Sequence, residues 1–297
     1  MDAMGDVEVL TGSRIGRHHA RRQRRNRLFE VGVYVLAALA CAPLFFILGS
    51  LIYKGLGQLN ISFFTESTPS TLEAMLASRR GDSIPGGIAN GIVGTLLMVS
   101  LASVVAIPLG VAAGVYLSLY GKTHYAAVVR FVTDALQATP SIVVGIVMYQ
   151  WVVRSMGSFS GFAGAMALAF MMLPLVARST EESLSLLPST LREAGLALGA
   201  PFYRVVFRIL LPSAYGGIST GAILAIARTM GETAPLIMTA LGSAAIVTNI
   251  FRPMSAVPLQ IWEFYNDPNL MAMIWSSSLF LLLLTLLLNY LAHRMAH

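Results

Sequence analysis

Charge is what this sequence lacks most: only 11% of its 297 residues are Asp, Glu, Lys or Arg, against about 25% in ordinary globular domains. That scarcity excludes the usual soluble enzyme classes, and disordered or collagen-like chains with them. A mean hydropathy of +0.72 agrees. Cysteine is almost absent: Cys41 stands alone, so no internal disulfide can form, and packing among apolar neighbours is its ordinary role. The 20 basic side chains are unevenly placed. Residues 1–27 hold seven arginines and three acidic groups, net +4, which leaves +2 of the total +6 for the remaining 270 residues. The pI of 9.7 is therefore carried by an arm, Arg14–Arg27. A basic arm on an apolar body indicates a membrane protein oriented by its N-terminus, with lipid headgroups rather than nucleic acid as the arm's partner.

Long apolar runs are what the chain has instead. A spanning helix needs about 20 largely apolar residues. Val31–Tyr53 qualifies, as does the uncharged stretch Ser83–Gly121, with its span starting near Ile88 after Pro85, Gly86 and Gly87. Ala135–Val153 and Ser155–Ala177 follow, then Ser213 to about Val247, interrupted by Arg228 and Glu232, and finally Pro268–His293. The expectation is an all-α integral membrane protein of six transmembrane helices. Arg14–Arg27 immediately before the first span predicts a cytoplasmic N-terminus, and six spans with Arg294 at the end predict a cytoplasmic C-terminus. The first run is longer than the 7–15-residue core of a cleaved signal, so it is expected to stay as an anchor. Residues 1–27 are then a cytoplasmic arm and 28–297 a six-span domain. Gly87/Gly91, Gly110/Gly114 and Gly217/Gly221 are each four apart, a spacing that lets helix backbones approach, within the bundle or against a partner subunit.

Several short motifs fail on inspection. 'GKT' at Gly121–Thr123 lacks the upstream glycine of a phosphate-binding loop, where Tyr116 stands, and it follows a span rather than a strand. His293 and His297 are four apart but lack the glutamate of a zinc protease helix. 'SFSG' at Ser158–Gly161 has no base to activate a serine. No catalytic residues, metal or cofactor are expected in this chain.

The most informative stretch is Leu187–Pro212. Thr190 and Glu193 have capping-box spacing after Pro188, Leu191, Ala194 and Leu198 share a face, and Gly199 and Pro201 end a short helix before Phe202 opens an apolar one. Such an element is either an ordinary amphipathic loop or a docking corner for a cytoplasmic partner. Arg228 and Glu232, four apart, should stack on one helix face inside the membrane. A charge there costs about 2.5–3.5 kcal/mol even on insertion scales, so the pair must face protein or a water-filled path. Arginine's planar fork suits a tetrahedral oxyanion, with the glutamate holding it between passages; the alternative is a static pair that packs the bundle. Arg178, at the end of the fourth span near Glu181 and Glu182, could set topology or serve the same path.

The loop resembles the EAA loop of ABC importer permeases: Glu193, Ala194 and Gly195, then Gly199, Ile209, Leu211 and Pro212 keep every interval of that pattern, with Gly195 replacing its second alanine. 'GGIANGIVGTLLMV' at Gly86–Val99, 'ATPSIVVGIVMY' at Ala138–Tyr149, 'LPLVARSTEESLSLLPSTLREAGLALGAP' at Leu173–Pro201 and 'AIARTMGETAPLIMTALG' at 225–242 are similar to the phosphate-specific ABC permeases, the PstA-type subunits. The likeness covers about residues 60–290. It implies a type I ABC importer permease bundle in a bacterial cytoplasmic membrane, with Arg228, Glu232 and Arg178 serving phosphate passage. It also implies that Glu193, Ala194, Gly195 and Gly199 couple the chain to an ATPase through a first loop helix, Ser189–Gly199. The implied partners are a homologous PstC-type permease, two PstB-type ATPases carrying ATP and magnesium, a PstS-type extracytoplasmic phosphate-binding protein and membrane lipid. A permease for sulfate or molybdate is the alternative; it would keep the EAA loop but lack 'ARTMGETAPL'.

Overall fold

The computed structural model describes residues 3–295; the side chains of residues 3–23, Ser78 and Met295 lie outside the described set. Arg14, Arg17, Arg21 and Arg22 of the arm therefore fall outside it, as does His297 of the His293/His297 pair. The chain divides into two compact units, Met1–Tyr53 and Lys54–His297. The first is a single helix, part of α1 (Ala3–Gly55), whose apolar side chains from Leu28 to Tyr53 are exposed almost throughout. Arg24–Gln58 is long and apolar enough to cross a bilayer. Helices that are apolar all round are stable only in lipid or against other protein.

In the second unit, two short helices, α2 (Ile61–Thr65) and α3 (Thr71–Arg80), precede the bundle. The bundle comprises α4 (Ala89–Tyr120), α5 (His124–Ala138), α6 (Ser141–Met156), α7 (Gly161–Ser185), α8 (Ser189–Ala197), α9 (Phe202–Ser213), α10 (Tyr215–Met230), α11 (Ala234–Ile237), α12 (Val257–Tyr265) and α13 (Met271–Met295). Among the described residues the only β feature is the isolated bridge Leu241–Met254. Among the described residues four segments are long and apolar enough to cross as unbroken helices: Arg24–Gln58, α4, α7 and Pro268–Arg294. Two more are bent pairs, α5 with α6 at 104° and α9 with α10 at 70°, and counting each pair once gives six.

The breaks correct three expected boundaries. The third run does not cross as one helix from Ala135. Thr139 is extended because a following proline disfavours the helical region, and Pro140 starts α6. The fourth span starts at Gly161 and runs to Ser185, eight residues past the expected end at Ala177, because Gly157 is left-handed (φ 71°) and closes the preceding helix. The fifth run stops at Met230 rather than continuing to Val247. Two rejected motifs have plain structural roles: Thr123 of 'GKT' caps α5 through Ala126 N–H at 3.2 Å, and Ser160 of 'SFSG' caps α7 through Ala163 N–H at 3.2 Å.

The core runs along α4 and α7, with Met98, Ala102, Ala106, Leu168, Met172 and Val176 buried between them and Ala225 and Met230 closing from α10. The paired glycines serve this chain's own packing. A β-carbon on Gly114 would stand 2.5 Å from both the Ala177 carbonyl oxygen and Thr180 Cβ, and one on Gly110 would stand 2.8 Å from Val176 Cβ. Gly217 and Gly221 meet Ser183 and Ser179 of α7 in the same way. Both faces of α7 are thus approached at backbone distance. Gly114→Val is expected to cost several times the ~1–3 kcal/mol of ordinary overpacking, since backbone has to move, and to abolish accumulation of a monodisperse protein. Size-exclusion profiles of detergent-extracted protein check this; a normal peak with an unchanged melting temperature would contradict the packing.

A polar clasp fastens the segments that flank α4 and α12. Gln260, wholly buried, donates to Asn90 Oδ1 at 2.8 Å and Thr68 Oγ1 at 2.7 Å, and Asn90 donates to the Ser243 carbonyl at 2.6 Å. Thr71 donates to Asp267 Oδ2 at 2.7 Å; this bond, with that from the Asn269 amide, holds the Asp267 carboxyl below its usual range.

Candidate translocation site and docking corner

Arg228, Glu232 and the α5–α6 break converge on one cavity of about 130 Å³, lined by Leu136, Gln137, Thr139, Ser141, Met171, Leu175, Arg228, Thr229 and Glu232. At ~30 Å³ per water of liquid volume, the space suits a few waters or one small hydrated oxyanion. Its walls come from four elements: the end of α5, the start of α6, the middle of α7 and the last turn of α10. No side chain caps the first turn of α6, which opens at Ser141 on the cavity. The break thereby puts the N-terminal end of α6, the positive end of its dipole, on the cavity wall at Ser141, and a helix N-terminus favours an anion.

Arg228 and Glu232 are brought together, but not as expected. The helix ends at Met230, and Gly231 and Glu232 leave it through turn bonds to the Arg228 and Thr229 carbonyls at 3.2 Å. The two therefore do not stack on a helix face. No ion pair joins them: those formed among the described residues are Arg130–Glu181, Arg178–Glu181 and Arg178–Glu182. Arg228 is exposed and Glu232 half-buried, so the guanidinium is available to an incoming group and the carboxylate sits across the same space. Glycine and proline in 'GETAP' (Gly231–Pro235) were the readable signal for this break, as Pro140 was for the other.

Arg178 does not line the cavity but shares a helix face with two residues that do. Met171, Leu175, Arg178 and Glu182 repeat at helical spacing on one face of α7, and the first two line the cavity. Arg178 follows Leu175 by three residues, about 4.5 Å along the axis at 1.5 Å per residue. It lies two turns before the end of α7, deeper than the helix edge expected from the uncharged run. Its guanidinium bonds Glu182 at 2.8 Å and Glu181 at 3.2 Å, and Glu181 in turn bonds Arg130 of α5 at 2.6 Å. Arg130 was not singled out in the sequence, because 51 residues separate it from its partner.

The loop after α7 folds as a corner. Pro188, not Thr190, occupies the cap position of α8, and no side chain caps this end, so the capping box does not form. At the other end Gly199 is left-handed (φ 75°), its N–H bonds the Leu196 carbonyl at 2.9 Å and the Ala200 N–H bonds the Gly195 carbonyl at 3.3 Å. These paired bonds are a Schellman stop. The helix itself ends at Ala197, two residues short of the expected Gly199. Gly195 is buried, with the place of its missing β-carbon 3.0 Å from Ile209 Cδ1 and 3.1 Å from Val205 Cγ2 of α9, so an alanine there would need those side chains to give by a few tenths of an ångström. Glu193, Ala194 and Gly199 are exposed, and so is Leu198 at 88%. Gly195 and Gly199 shape the corner while Glu193, Ala194 and Leu198 present a surface.

Known proteins agree with this architecture. Residues 106–297 match the family described as the inner membrane component of binding-protein-dependent transport systems. The phosphate transport system permease protein PstA of Yersinia pestis is 39% identical over 295 residues, covering 98% of this chain and 96% of that one. The PstA of Xylella fastidiosa strain 9a5c is 42% identical over 244 residues, 81% of each. Among solved structures, an inward-facing MetNI methionine ABC transporter chain superposes with a TM-score of 0.59 at 20% identity, over 69% of this chain and 93% of its own. An amino acid ABC transporter gives 0.52 at 16% identity, over 77% and 98%; both carry the fold alone. The chain belongs to the binding-protein-dependent transport system inner membrane components, and within them to the PstA family of phosphate transport system permeases.

Proposed function

We propose that this chain is the PstA-type permease subunit of an ATP-driven importer in the bacterial inner membrane, and forms part of the path by which inorganic phosphate enters. The carrying observation is the likeness to PstA proteins at 39–42% identity over most of the chain, and it favours phosphate over sulfate or molybdate. Arg228 offers phosphate charge-assisted bonds from the end of α10, the uncapped start of α6 faces the same cavity, and Glu232 limits how tightly the anion is held. Arg178 takes over from Arg228, from a position on α7 about one turn beyond the cavity-lining Leu175. Weak, successive sites suit passage, since a single tight site would trap the ion.

Glu193, Ala194, Gly195 and Gly199 dock the chain on a PstB-type ATPase, one of two, which holds ATP and magnesium; this chain supplies the coupling surface and no ATP site of its own. A PstC-type permease completes the path, and a PstS-type protein delivers phosphate from outside. Residues 1–27 form a cytoplasmic arm attracted to anionic lipid, residues 28–297 the permease domain, and both termini face the cytoplasm. ATP binding and hydrolysis bias the bundle between its two openings through α8.

The test is the purified four-component complex in proteoliposomes with the binding protein supplied. Radiolabelled phosphate uptake is expected to require ATP, to require the binding protein and to be unaffected by excess sulfate. Competition by sulfate, or a chain that does not co-purify with the ATPase, would overturn the assignment.

A further inference from the structure

Resting on the assignment of Arg178 to the phosphate path, we infer that Arg130 is a positioning residue which keeps Arg178 available by holding Glu181. Glu181 is buried on α7, its side chain 11% exposed, and it is shared between two arginines. Its Oε1 lies 2.6 Å from Arg130, its Oε2 3.2 Å from Arg178. The shorter bond belongs to Arg130, so the carboxylate is primarily its partner and Arg178 has the weaker claim.

The charge balance makes this division matter. Arg178 is faced by Glu181 and Glu182 on its own helix and by the charge of Asp134 on α5, one turn from Arg130. Two arginines thus stand against three carboxylates. Without Arg130 the cluster holds one cation among three anions, and the buried Glu181, having lost its main partner, turns wholly to Arg178. Arg178 already bonds Glu181 and Glu182, so the loss of Arg130 acts through charge: Arg178 then stands alone against three carboxylates, and their field repels a dianion. Arg130 reaches the cluster from α5, whose last residues wall the Arg228 cavity, so the same contact links the position of that wall to the state of Arg178.

The sharp consequence is an order of effects that a merely structural ion pair would not give. In the complete importer in proteoliposomes, Arg130→Gln is expected to reduce phosphate uptake about tenfold, the scale of one hydrogen bond to a charged group. Adding Glu181→Gln to it should return uptake to within about twofold of the parent, because Arg178 then faces one carboxylate fewer. Glu181→Gln alone should stay within the same twofold, and Arg130→Lys should retain most uptake because it keeps the charge. The inference is overturned if the double variant transports no better than Arg130→Gln, if Arg130→Gln transports normally, if Glu181→Gln alone loses uptake, or if Arg130→Gln fails to assemble, which would make the pair structural. Arg178→Gln run in parallel separates the two assignments. Normal uptake there removes Arg178 from the path. Lost uptake there, with no recovery in the double variant, removes only the role of Arg130.

Discussion

Phosphate uptake by the assembled importer is expected to fall roughly 100-fold or more when Arg228 becomes glutamine, with expression, assembly and association with the ATPase unchanged. Two bonds from a guanidinium to an anion are each worth about 1.5–3 kcal/mol, and each 1.4 kcal/mol is a factor of ten. Glutamine is close in bulk and keeps one donor, so the cavity persists while the charge is lost. What remains is worse than neutral: Glu232 becomes the only charged group lining the space, and the uncapped start of α6 must attract the anion against it. Arg228→Lys restores the charge without the planar fork and should recover part of the loss. Initial rates of radiolabelled phosphate uptake, normalised to assembled complex, are the measurement. Uptake within a factor of two of the parent would remove Arg228 from the pathway and leave the cavity without its principal cation.

A second large effect is expected at the docking corner. Glu193→Lys reverses the charge of an exposed residue on α8, and Leu198→Asp replaces an apolar side chain that is 88% exposed. Burying a leucine contributes roughly 1.5–3 kcal/mol, so losing Leu198 should weaken ATPase association by about tenfold to a hundredfold. Neither position packs into the bundle, and membrane insertion should be untouched. Titrating detergent-solubilised permease with the purified ATPase reads the affinity directly. Unaltered affinity in both variants would mean that the ATPase grips some other surface, and the role of α8 would have to be given up.

The spans and the corner after α7 were legible in the sequence because each rests on a local quantity. Length of apolar run decides whether a helix can cross, and the intervals from Glu193 to Pro212 are counted along the chain. The breaks were harder. Inside a membrane both halves of a broken helix are apolar, so hydropathy runs through Thr139 and Pro140, and past Gly231, without a dip that marks the turn. Proline and glycine were the available signals, and they carry less weight in spans, where Pro43, Pro108 and Pro174 sit within continuous helices. Taking Arg228 and Glu232 as helix neighbours followed from assuming continuity. Their meeting in a cavity survives that error because the turn after Met230 keeps Glu232 close. The Arg130–Glu181–Arg178 cluster was only half legible: Arg178 with Glu181 and Glu182 is local spacing, whereas Arg130 arrives by the folding of α5 against α7.

The glycine contacts along α7 have a mechanical consequence. With α4 against one face at Gly110 and Gly114, and α10 against another at Gly217 and Gly221, the three helices touch at these four points with no long side chain between them to deform. Sliding one past another would drive Val176, Thr180 or Ser179 into backbone. On the proposed docking of an ATPase at the loop after α7, its torque is expected to turn the three together, so that motion at the loop reaches Arg228 with little slack. The give lies at the two bends, Thr139–Pro140 and Ala214, which flank those helices like the pivots of a rocker arm.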